Sequence, residues 1–175
     1  LCDLLWPDEP DHDRLRPRLS VQLSTVRRIL DGGVIADRSA IRLDVDHVRS
    51  DLVAFKQLTD DRAIVDAYAG ELLPDDVYDD WADPPRTAAR VRFLAAAHRL
   101  LDRAVLAGEH LVVVELATRI LDVDPYDDAA HRATVAGLYA NGSRGAAQAA
   151  YASYANRMAQ LGVEPDSFAQ LTAPP

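Results

Sequence analysis

A chain of 175 residues that is 49% hydrophobic can bury one substantial core or two small ones, and its formal charge of -9 argues against a general wrapper of nucleic acid, which needs clustered cations. No apolar run approaches the roughly 20 residues that cross a bilayer, and Leu1 to Trp6 is followed by acids rather than by a cleavage site. The single cysteine, Cys2, excludes an internal disulfide framework and any multi-cysteine zinc site. These features predict a soluble, cytoplasmic protein without a membrane partner, with Cys2 as a small buried apolar residue.

The distribution of charge says more than its sum. Only one cation is a lysine, Lys56; the arginines gather between Arg14 and Arg49, and acids dominate from Asp60 to Asp83. Arginine suits forked contacts to phosphate and guanine. A preference for arginine over lysine also follows from a GC-rich genome.

In chain order, Leu1 to Trp6 reads as the end of an amphipathic helix, stopped by Pro7 and the acidic stretch Asp8 to Asp13. That stretch lacks the glycine and glutamate of a calcium loop, with Asp13 and Leu19 in their places, which argues against an EF-hand. From Arg14 to Leu30 the apolar residues Leu15, Leu19, Leu23, Val26 and Leu30 recur at helical spacing and predict one buried stripe, with Pro17 in the first turn and Asp31-Gly32-Gly33 as the stop. Val34 to Ala36 and Ala40 to Leu43 predict a hairpin around Asp37-Arg38-Ser39, and Val45 to Val48 a further extended piece.

Beyond Asp51 the predicted elements are helices over 52–58, 61–69, 85–107, 111–123, 127–140 and 143–161, with a short segment after Pro165. A shift of 34 residues superimposes Gly108 on Gly142, Leu101 on Val135, Val105 on Tyr139, Val113 on Ala147 and Ala117 on Tyr151. That is the tetratricopeptide period. The second copy departs from the pattern, with a long helix and a late Pro165, as a terminal capping repeat does.

Opposite the apolar stripe of the Arg14–Leu30 segment lie Arg14, Arg18, Val21, Thr25 and Arg28, on an arc about as narrow as the stripe. Arginines for guanine edges or phosphates, with Thr25 or Val21 for a thymine methyl, are what a major-groove helix carries. Arg16, Ser20 and Arg27 are expected beside it, within reach of phosphates. An ordinary solvated face is the competing reading. A hairpin bearing Arg38 and Arg42 directly after such a helix is the order of a winged helix and favours DNA.

The segment Leu4-Leu5-Trp6-Pro7-Asp8, the helix Leu15 to Leu30 and the wing end Ile41-Arg42-Leu43-Asp44 resemble the latter part of the winged helix in the Streptomyces antibiotic regulatory protein family. Gly70 to Trp81 and Leu161-Gly162-Val163-Glu164-Pro165 resemble that family's bacterial transcriptional activator domain, a tetratricopeptide-like unit. The resemblance runs nearly end to end, with its motifs in order. It implies sequence-specific binding to double-stranded promoter DNA and activation through RNA polymerase. The loop Asp8 to Asp13 then joins the two helices of the DNA-binding unit, where related proteins can face the polymerase; a plain solvated loop is the alternative. Winged helices of this family begin with a small sheet and a first helix, which do not precede Leu1, so the expectation is a trimmed chain or a degenerate relative.

The expected fold is therefore mainly α: residues 1–50 as the C-terminal part of a winged-helix domain and 51–175 as a tetratricopeptide-like helical repeat domain for dimerisation, including a homodimer, or partner contact. The acidic cluster Asp75, Asp76, Asp79, Asp80 and Asp83 is read as helix N-terminal charge with Tyr78 and Trp81 as buried anchors. His98 and His131 read as surface or packing residues. With no phosphate loop, nucleophile elbow or His-Glu-x-x-His, neither catalysis nor a cofactor is expected. The alternative is a protein-interaction scaffold that has lost DNA binding.

Overall fold

The computed structural model of the chain describes residues 2–37, 40–76 and 78–173 and is mainly α-helical. It divides into two compact units, residues 1–54 and 55–175. The first holds α1 (Cys2–Leu5), α2 (His12–Ile29), β1 (Val34–Ala36) and β2 (Ile41–Leu43), and the division falls inside α3 (Asp51–Gln57). The second holds α4 (Asp61–Ala67), a 3-10 turn (Asp80–Ala82), α5 (Asp83–Ala107), α6 (His110–Val123), α7 (Asp128–Ala140), α8 (Arg144–Gln160) and α9 (Phe168–Leu171).

In the first unit, the Asp11 carboxylate accepts the Asp13 N–H at 3.1 Å and caps α2, which therefore starts two residues before the predicted Arg14. Pro17 consequently sits in the second turn, not the first, and its missing N–H leaves the Asp13 carbonyl without an i−4 partner. Of the apolar stripe only Leu15 is fully buried, while Leu19, Leu23 and Leu30 are half-buried and Val26 is exposed. Cys2 is half-buried rather than buried. Asp31 and Gly32 take left-handed backbone, φ 46 and 86, and end the helix.

The strands pair antiparallel in the register Val34↔Leu43, Ile35↔Arg42 and Ala36↔Ile41. Gly33 enters the hairpin with no room for a side chain, since a Cβ there would run into the Val48 Cγ2. Residues 45–48 are a turn, not the extended piece expected. The Asp44 carbonyl accepts the N–H of His47 at 3.1 Å and of Val48 at 2.8 Å, and its carboxylate accepts that of Asp46. An aspartate that satisfies three following amides leaves none for a strand partner.

In the second unit the 34-residue recurrence holds down to single hydrogen bonds. Ala96 and Ala130, Ala97 and His131, Leu101 and Val135, Val113 and Ala147, and Ile120 and Tyr154 are buried in pairs. Gly108 and Gly142 are both left-handed, φ 69 and 82. Behind them, the amide of Glu109 bonds the Ala104 carbonyl at 3.0 Å and that of Ser143 bonds the Leu138 carbonyl at 2.9 Å. Each helix packs on its successor from α5 through α8. Ala117 and Tyr151 break the match, one buried and the other half-buried.

The core centres on Phe93, 1% exposed, stacked on Tyr68 at 4.5 Å between ring centroids. Arg86, though nearly buried, donates to the carbonyls of Leu72, Leu73 and Asp76 and to the Asp83 carboxylate at 2.7–3.1 Å. It ties the segment before α5 to that helix. Tyr78 and Trp81 are not the buried anchors expected, being 97% and 47% exposed. The described residues of this segment up to Asp79 form no helix that could turn the rings inward, and Arg86 holds the segment instead.

His98 Nε2 lies 2.8 Å from an Asp127 carboxylate oxygen, and the buried His131 Nε2 3.0 Å from the Pro125 carbonyl, so both histidines brace the turn between α6 and α7. Beside them the buried Tyr154 hydroxyl donates to Asp128 at 2.7 Å. Burial first, and then this bond to a carboxylate, push its phenol up to about 12. Because that lies above the unfolded value of about 10, the stabilisation is complete below pH 10 and drains as pH rises toward 12, on the order of 2–3 kcal/mol. The urea midpoint followed by circular dichroism should fall across that window. Tyr154→Phe should make the fall shallower without removing it, since burial also raises Tyr68.

Candidate nucleic-acid interface

The exposed side of α2 gathers most of the residues expected to meet DNA. Arg14, Arg18, Val21 and Arg28 are exposed, Val21 at 64%, and Thr25 is half-buried. Ser20, Val21, Ser24, Thr25 and Arg28 line one shallow depression on that side. Arg16 is exposed but, at ~100° per residue, stands about 200° round the helix from Arg14, so it flanks the apolar stripe rather than the arc. Arg27, also exposed, donates to the Val34 carbonyl at 3.4 Å, joining helix to hairpin.

The hydroxyls on this side are committed to the helix. Ser24 donates to the Ser20 carbonyl at 2.9 Å and Thr25 to the Val21 carbonyl at 3.1 Å. What Thr25 offers a partner is therefore a methyl and oxygen lone pairs, a group suited to a thymine methyl. Arg14 pairs with Asp11 at 3.2 Å, but both are solvent-exposed, and such a pair holds its arginine weakly against a phosphate. Arg42 is exposed on β2 opposite Ile35. Arg38 lies outside the described residues. Sequence spacing gave no sign of one contact: the Arg18 guanidinium lies 5.1 Å from the centroid of the Trp6 ring.

The second unit carries a groove of about 800 Å³, with Ala133, Ala136 and Gly137 of α7 among its lining residues, together with Leu101, Val105 and Leu171. Among the described residues no three His, Cys, Asp or Glu side chains could jointly hold a metal, and no helix is long and apolar enough to cross a membrane.

Residues 54–172 match the family model described as the bacterial transcriptional activator domain. The match spans about two thirds of the chain, which belongs to that family and so has a role in transcriptional activation. Searches of curated proteins and of solved structures returned no match.

Proposed function

We propose that the protein is a sequence-specific, DNA-binding transcription activator of the Streptomyces antibiotic regulatory protein type, without catalytic chemistry. In this reading α2 is the recognition helix of the latter part of a winged helix, the β1–β2 hairpin is its wing, and the partner is double-stranded promoter DNA in the cytoplasm. The tetratricopeptide-like second unit serves homodimerisation or contact with RNA polymerase. One observation carries the proposal: α2 presents Arg14, Arg18, Val21, Thr25 and Arg28 on one exposed side and is followed at once by an antiparallel hairpin bearing Arg42. Most of the net negative charge falls in the second unit, and the first is close to neutral.

The test is fluorescence anisotropy on duplexes recovered by genome-wide capture with the protein, repeated over a salt series. Arg18→Ala should relax selectivity at one base position, costing ~1–3 kcal/mol there if the arginine is bidentate to guanine. Arg42→Ala should weaken all sequences alike and reduce the log-log salt slope by about one. Binding that neither substitution changes would leave an interaction scaffold as the function.

A further inference from the structure

Three arginines of α2 have different electrostatic partners. Arg14 faces the Asp11 carboxylate, Arg27 a backbone carbonyl, and Arg18 the face of an aromatic ring, 5.1 Å from its centroid. Among the described residues the Arg18 side chain takes part in no hydrogen bond or ion pair, and it is exposed. A guanidinium carries five N–H donors, and with the ring as its only neighbour of this kind those of Arg18 remain open to a partner. Trp6 is itself held. Its backbone amide donates to the Cys2 carbonyl at 2.8 Å, its carbonyl accepts from the Glu9 amide, and Pro7 restricts its backbone from the following position.

We propose that Trp6 is a positioning residue for base reading: by stacking on Arg18 it selects among the many rotamers of that side chain and holds the guanidinium fork ready for one base edge, guanine O6 and N7 foremost. The inference rests on the assignment of α2 as the recognition helix. It adds a residue outside that helix that governs selectivity without touching a base. A flexible arginine finds phosphates as readily as bases, whereas a stacked one is limited to what its edge can reach.

The experiment compares the wild type with Trp6→Leu, which keeps apolar bulk without a ring, and with Trp6→Phe, which keeps a ring face. Affinities are measured for the captured duplex, for its single-base variants and for a random-sequence duplex over a salt series. Trp6→Leu should lower discrimination at the base pair sensitive to Arg18→Ala by about two- to fivefold, the range of an exposed cation–π contact. Random-sequence binding and the salt slope should not move, and Trp6→Phe should restore most of the discrimination. In a Trp81→Phe background, where Trp6 is the sole tryptophan, Arg18→Ala should shift its fluorescence. Discrimination unchanged in Trp6→Leu while Arg18→Ala abolishes it would overturn the positioning role and leave the recognition helix standing. A uniform loss on every duplex that Trp6→Phe does not repair would also overturn it, as a purely structural effect. If Arg18→Ala itself leaves selectivity intact, the reading of α2 fails, and the positioning role with it.

Discussion

Replacing Arg14, Arg18 and Arg28 together by alanine should lower affinity for a captured duplex by at least about a hundredfold, because three charge-assisted contacts of ~1–3 kcal/mol each are removed from one groove. The log-log salt slope should fall by up to about three, at ~0.9 per neutralised phosphate. Folding should not suffer. All three side chains are exposed, and the one ion pair lost, Arg14 with Asp11, is a surface pair of the kind that contributes ~0–1 kcal/mol. Anisotropy titration gives the affinities and circular dichroism the folding control. Near-wild-type affinity in a folded triple variant would refute DNA reading by α2 and favour a scaffold acting through the second unit.

The largest effect on stability is expected at Phe93. Its ring is 1% exposed, stacks on Tyr68 and lies 5.6 Å beneath the Arg119 guanidinium. Phe93→Ala leaves a cavity among α4, α5 and α6 and should cost ~3–5 kcal/mol, the upper end for a buried aromatic because the stacking is lost as well. Against a typical total of ~5–15 kcal/mol that is a third or more. Arg119 also donates to the Val65 and Tyr68 carbonyls at 2.6 and 3.3 Å, so the end of α4 should loosen with it. Urea melts by circular dichroism, with Val91→Ala as the control on the same helix at a 60% exposed position, provide the measurement. A Phe93→Ala midpoint equal to that of the control would show that this cluster is not the keystone of the second unit.

Much of the fold was legible because its signals are local. Helical spacing located α5 to α8 to within two residues, and left-handed glycines at Gly108 and Gly142 stop α5 and follow α7 where the 34-residue comparison placed them. The hairpin strands fell within a residue of prediction, since β-branched runs around a polar turn have few other uses. Errors arose where a polar side chain replaced the expected backbone partner. Asp11 moved the start of α2, Asp44 turned an extended piece into a turn, and Arg86 took over the anchoring expected of Tyr78 and Trp81.

The sequence by itself determined the elements, their repeat and the side of α2 that carries the arginines, because periodicity and capping depend on residues within a turn of one another. It also determined the bacterial transcriptional activator domain, through the motifs at Gly70 to Trp81 and Leu161 to Pro165. Only the tertiary structure decided how those arginines are used. Arg27 is spent on the hairpin, Arg14 is lightly paired, Arg86 holds loop carbonyls, Arg119 holds carbonyls at the end of α4, and Arg18 lies over the Trp6 ring. An arginine can reach a carboxylate, a carbonyl or a ring with similar ease, and which one stands nearby depends on where the chain returns. No spacing rule encodes that path, so the same residue type reads alike in the sequence and serves four ends in the fold.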